Sequence, residues 1–266
     1  MSEAGPIFLT GLDHSGKTLL RGWLNRVPGL HVARRADLLG RLRAARPGGE
    51  AAEWKALREL GVGILADSGS RRWGVQEAFA EWLWASLLRA LPEARIVHLV
   101  RDPRGRTAAM VRAGTLGRGG PAAETAAWTS SAAVIRQALE QHPEAITVVR
   151  YESMVHEPQP TWATLCAFLQ EPGAPPIEEG EQERLRAMTA ATGTWAETLS
   201  AADIAFIERR AAAEMPAFGY LPSGAVGQQA ILPLRLVDEA RWLVGRAAWR
   251  SRGQRLGIRA VEAATR

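Results

Sequence analysis

An apolar run, Pro6-Ile7-Phe8-Leu9-Thr10, stops at Gly11-Leu12-Asp13-His14-Ser15-Gly16-Lys17-Thr18 and gives way to helical spacing over residues 17–25. A short, continuous apolar run reads as a strand buried on both faces, and such strands belong to parallel sheets with helical crossovers. The octet after it fits G-x-x-x-x-G-K-[ST]. Between strand and helix, its glycines let backbone N–H groups converge while the helix N-terminus adds positive potential, so the turn suits a phosphate-like anion. Its lysine stands out, because Lys17 and Lys55 are the only lysines among 33 basic residues. An ammonium on a flexible stem can follow an anion whose charge redistributes, whereas a guanidinium offers a fixed fork.

The same alternation continues along the chain. Residues 30–33 read as a second strand, 62–67 as a strand ending in Asp67, 95–100 as the clearest buried strand, and 145–151 as the last. Helical patterns occupy 36–45, 50–60, 76–91 and 121–141, and Pro103 opens another. Further helices are expected over 161–169, 181–192 and 200–214. Strands alternating with helices predict an α/β fold with a parallel sheet, whose ligand lies beyond the carboxyl ends of the strands. Residues 11–18 and 101–104 both follow strand ends and so face one crevice. The expected organisation is an α/β domain over 1–222 and a basic helical extension over 223–266.

Charge narrows the function. The formal net charge is +5, and residues 235–266 hold eight arginines against Asp238, Glu239 and Glu262. The excess therefore sits in the extension, the body is neutral, and no nucleic-acid partner is expected. In the extension Leu236, Ala240, Leu243, Val244 and Ala247 share one face, with Arg235, Arg241, Arg246 and Arg250 largely elsewhere. Such a helix docks on its own domain, joins a homodimer, or makes peripheral contact with an anionic membrane. A single cysteine, Cys166, excludes an internal disulfide framework. With no basic leader and no apolar run long enough to span a membrane, cytoplasmic location is the expectation.

Four stretches resemble the family of sulfotransferases that use 3′-phosphoadenosine 5′-phosphosulfate (PAPS). Residues 7–20, followed by Pro28-Gly29, are similar to the family's 5′-phosphosulfate loop. Ile96-Val97-His98-Leu99-Val100-Arg101-Asp102-Pro103-Arg104 looks like its 3′-phosphate strand and turn. Val148-Val149-Arg150-Tyr151-Glu152 and the segment at Phe168-Leu169 resemble its Arg-Tyr-Glu region, and residues 195–220 its C-terminal helix. The resemblance implies a three-layer, P-loop-like α/β fold with a helical C-terminal part. It also implies transfer of a sulfuryl group from PAPS to a hydroxyl or amine of a small molecule, lipid or glycan, with no metal expected. Gly11, Asp13, His14, Ser15, Gly16, Lys17 and Thr18 would then hold the phosphosulfate, and Arg101 the 3′-phosphate. Lys17 would stabilise the leaving oxygen electrostatically, and His14 is the second catalytic candidate.

The chain also departs from the family. Arginine is usual at the position of His14, and threonine or serine at that of Lys17. The serine expected eight residues after Arg101 is Ala109, although Thr107 and Arg112 lie nearby. No glutamate follows the Pro28-Gly29 turn, where the chain reads Val32-Ala33-Arg34-Arg35. The general base therefore stays open among His14, Asp67 and Glu77. Each has a plainer alternative: a solvent-facing loop histidine, a turn cap, and a first-turn helix glutamate. Arg34 and Arg35 either receive an anionic acceptor or are solvated. Asp102, Tyr151 and Glu152 read as structural, and Trp73, Trp82 and Trp84 as packing or as the wall of an apolar pocket. Two other functions compete. The full loop motif and Asp67 suit a P-loop kinase or NTPase using ATP–Mg, and Ala109 with the missing glutamate suits a non-catalytic nucleotide- or partner-binding protein.

Overall fold

A computed structural model describes residues 5–34, 36–172, 174–190, 193–223 and 232–256. Arg35 and residues 257–266 of the basic extension lie outside them. Five strands, β1 (Ile7–Gly11), β2 (Leu30–Arg34), β3 (Arg72–Gln76), β4 (Arg95–Val100) and β5 (Ile146–Arg150), form one parallel sheet in the order β2-β3-β1-β4-β5. Side chains alternate across it: Ile7 and Leu9 join one core, and Phe8 the other. Both cores are apolar, which is why the β1 run shows no polar alternation.

On the Ile7 face lie α1 (Lys17–Leu24), α7 (Tyr151–His156), α8 (Pro158–Leu169) and α9 (Glu179–Ala190), which contribute Trp23, Met154, Leu165 and Leu185. The Phe8 face is covered by α2 (Leu38–Ala45), α3 (Gly49–Ser68), α4 (Trp84–Ala90), α6 (Gly120–Gln141) and α12 (Leu232–Leu256). Each fully buried Leu, Ile or Phe in these layers contributes about 1.5–3 kcal/mol. A smaller core joins α5 (Pro103–Arg112), through Ala108, to α10 (Trp195–Thr198) and α11 (Ala201–Ala211).

Two expectations are corrected. Residues 62–67 are not a strand but the end of α3, which continues without interruption until Gly69 adopts a left-handed conformation (φ 64) and caps it. A short apolar run suits either state, and here the preceding helical turns propagate through it. Asp67 is thus exposed on a helix rather than placed at a strand end. Nor do residues 76–91 form one helix. Gln76 ends β3, a 3-10 turn covers Ala80–Leu83, and α4 begins at Trp84. The strand that the sheet required lies just before this stretch, at Arg72–Gln76, where buried Arg72 donates to Gly5 O, Leu169 O and Glu171.

The face of α12 that packs is also not the expected one. Leu243 and Val244 are exposed, whereas Gly245 and Trp249 are buried. A Cβ at Gly245 would lie 2.5 Å from the backbone of Ala122, and one at Gly119 would lie 2.9 Å from Ala248. Small residues thus bring α12 and α6 close. Trp249 then seats between Phe79 and Trp82, with ring centroids 5.6 Å from each. Leu236 lies among the residues whose side chains are not described.

Candidate active site

The loop after β1 is held from within and from outside. Ser15 Oγ donates to Leu12 O at 2.7 Å, closing the turn. Gly16 has φ 98, and a Cβ there would meet the Tyr151 ring at 2.7 Å, so the backbone sits directly on the residue that follows β5. Arg101, at the end of β4, stacks its guanidinium over the same ring at 4.0 Å and donates to His14 O at 3.2 Å. Trp128 Nε1 donates to Arg101 O at 2.8 Å. The two segments singled out in the sequence therefore meet in space.

Lys17 is 6% exposed and turned inward: its Nζ donates to Gly11 O and Leu12 O, both at 2.6 Å, and lies 3.9 Å from Asp13. Burial lowers it from 10.5 to about 8, opposed by Asp13 and then Glu81. Thr18 is exposed at the start of α1. Loop histidine His14, at φ 64, meets Thr115 Oγ1 through Nε2 at 2.9 Å. Burial first, then Arg106, holds its imidazole below the usual value, so it is neutral at pH 7.

Beneath the loop lies a carboxylate that the sequence pattern did not single out. Glu81, on the 3-10 turn, is 0% exposed and accepts from Thr10 Oγ1 and, at 2.6 Å, from Ser131 Oγ. Nearby His98 is buried with Nδ1 unpaired among the described residues, and burial lowers it to about 4. Glu77 follows β3 rather than opening a helix. Its Oε2 accepts from Leu38 N at 3.2 Å, capping α2, and burial raises its carboxyl.

A ring of charges surrounds the loop tip. Buried Arg106 donates through Nε to Asp13 O at 2.8 Å and through Nη2 to Glu124 at 2.6 Å. From α12, Arg252 pairs with Asp13 at 3.2 Å and with Glu124 at 3.5 Å, and its guanidinium lies 5.1 Å from the Phe79 ring centroid. Arg106, Glu124 and Arg252 lie in stretches without a motif, so no local pattern marks them.

The loop tip, Arg101, Glu124 and Arg252 open onto a cavity of about 1350 Å³. His14, Lys17, Thr18, Arg101, Tyr151 and Met188 line it, as do Arg34, Arg118, Ala248 and Arg252. Of the three candidate bases His14 lines the cavity, whereas Asp67 and Glu77 do not. Trp73 packs edge-on against Phe8, Trp82 joins Trp249, and Trp84 lies against His142; the tryptophan that reaches the cavity wall is Trp249. Thr107 Oγ1 is buried and donates back to Pro103 O at 2.7 Å, while Arg112 donates to Thr198 at 2.8 Å. Asp102 and Glu152 are structural: Asp102 accepts from Arg104 N, capping α5, and Glu152 accepts from Asp102 N and Tyr220 OH.

Residues 65–175 match the model of a sulfotransferase family. No curated protein matches the chain by sequence. Among solved structures, a sulfotransferase from Mycobacterium avium is similar with TM-score 0.53 and 11% identity, covering 83% of this chain and 78% of its own. The sulfotransferase domain of the Synechococcus PCC 7002 olefin synthase gives 0.53 at 18% identity, covering 75% and 90%. That of the curacin biosynthetic pathway gives 0.53 at 16%, covering 83% and 99%. At these identities the likeness is one of fold.

Proposed function

We propose that this chain, which has the sulfotransferase fold and a sulfotransferase family match over residues 65–175, moves a sulfuryl group from PAPS to a hydroxyl or amine acceptor. One observation carries the reading: the Lys17 loop and Arg101 line a single cavity, as a donor with two anionic ends requires. Backbone N–H groups of the loop and Lys17 hold the phosphosulfate end, and Arg101 the 3′-phosphate. The acceptor oxygen or nitrogen bonds to sulfur as the bond from sulfur to the phosphate oxygen breaks. Lys17 leaves the carbonyls of Gly11 and Leu12 to meet the charge on the departing oxygen. The acceptor proton passes to His14, whose neutral imidazole can take it.

The acceptor is a small molecule, lipid or glycan, and the site is cytoplasmic. The exposed Val237, Leu243 and Val244 give α12 an outer surface for an anionic membrane or a second copy. No helix among the described residues is long and apolar enough to cross a membrane. Co-sedimentation with anionic vesicles tests the first contact, and sedimentation equilibrium the second.

Thermal shift with 3′,5′-adenosine bisphosphate, against ATP plus Mg²⁺, tests the function. A ligand at a hundred times its Kd stabilises the native state by about 2.7 kcal/mol. Stabilisation by the bisphosphate is expected; stabilisation by ATP–Mg alone would replace this reading with a kinase or NTPase. Exposed on α3, Asp67 no longer supports that competitor. Binding without sulfuryl turnover on acceptor panels would make the chain a binding module.

A further inference from the structure

An anion site with a carboxylate at its mouth works against itself. Asp13 is half-exposed on the loop tip and 3.9 Å from Lys17, so it opposes any dianion entering the loop. The chain sets a cation against it from the far end of the sequence. Arg252 Nη2 lies 3.2 Å from Asp13 Oδ2, and Nη1 lies 3.5 Å from Glu124 Oε1. Arg106 closes the ring by pairing with Glu124 and donating to Asp13 O. Arg252 is itself held in place: its guanidinium lies over Phe79, and three residues earlier Trp249 is 1% exposed against the same ring.

We propose that Arg252 is a positioning residue that neutralises Asp13, making the loop receptive to a dianionic phosphate or phosphosulfate, so that α12 is a working part of the anion site. The choice of ligand rests on the function proposed above, but the electrostatic role does not. Arg252 acts through Asp13 and need not touch the ligand. The pair is only partly buried, so screening keeps its effect modest, at about two- to fivefold in affinity.

A double-mutant cycle measured by calorimetry at fixed ionic strength tests this, with 3′,5′-adenosine bisphosphate and inorganic pyrophosphate as probes. Arg252→Gln is expected to weaken both about two- to fivefold, and Arg252→Lys to retain most of the affinity. In the Asp13→Asn background, Arg252→Gln should have almost no effect, because the carboxylate it offsets is gone. An equal loss in both backgrounds would overturn the proposal, since Arg252 would then contact the ligand directly or merely hold α12. No loss in the wild-type background would overturn it too. Melting of the unliganded variants identifies a loosened helix, which would lower stability whichever residue stands at position 13. If the wild type binds pyrophosphate but not the bisphosphate, the sulfotransferase reading fails while the pyrophosphate arm still decides the role of Arg252. Binding of neither removes both.

Discussion

Lys17 is the residue at which stability and function pull apart. Lowered from 10.5 to about 8 chiefly by burial, its charged form destabilises the unliganded fold by roughly 3 kcal/mol. The penalty is complete below pH 8. Between about pH 8 and 10.5 the unfolded chain holds a proton that the native state has released, so stability should rise with pH across that window. Urea denaturation at pH 7 and 10.5 should show wild type gaining on Lys17→Met by up to roughly 3 kcal/mol; parallel curves would contradict the burial of the charge. A bound dianion favours the ammonium, so bisphosphate binding at pH 8.5 should take up a proton that Lys17→Met does not. Calorimetry in two buffers of different ionisation enthalpy measures it. Turnover by Lys17→Thr should fall about 10²–10³-fold; unchanged turnover would remove the leaving-group role.

At the scale of elements, the contact between α6 and α12 depends on small side chains. Gly245→Leu drives a side chain into the Ala122 backbone, where a Cβ would already lie at 2.5 Å. It should destabilise the fold by about 1–3 kcal/mol and weaken bisphosphate binding by displacing Arg252, read as a lower urea midpoint together with a higher Kd. The same elements show what the sequence could convey. β1, β4 and the loop between β1 and α1 were legible because a strand buried on both faces is continuously apolar and the glycine spacing is local. The third strand is not legible locally, because Val62-Gly63-Ile64-Leu65 has no period of its own, whereas Arg72-Trp73-Gly74 owes its strand state to a buried arginine paired 99 residues away. The apolar stripe of α12 stays exposed at Leu243 and Val244, and nothing local reveals that glycine and alanine make the closer contact. His14, Lys17 and Arg101 carried motif signals, while Glu81, Arg106 and Arg252 owe their positions entirely to tertiary packing.

For the whole molecule, the C-terminal helix is part of both the core and the cavity wall. Deleting residues 232–266 uncovers Phe79 and Trp82 and removes Arg252 from beside Asp13. The truncated chain should melt at lower temperature than Arg252→Gln and bind the bisphosphate at least as weakly, as thermal shift and calorimetry would show. Equal stability of truncated and full chains would mean that the helix adds nothing to the core. The ring at the loop tip joins residues 13 and 252, 239 positions apart. During synthesis the anion loop therefore leaves the ribosome 239 residues ahead of its counter-charge. A nascent chain can fold its sheet before α12 has left the exit tunnel, and during that interval Asp13 stands without Arg252, so a dianion is held somewhat more weakly than once α12 has docked.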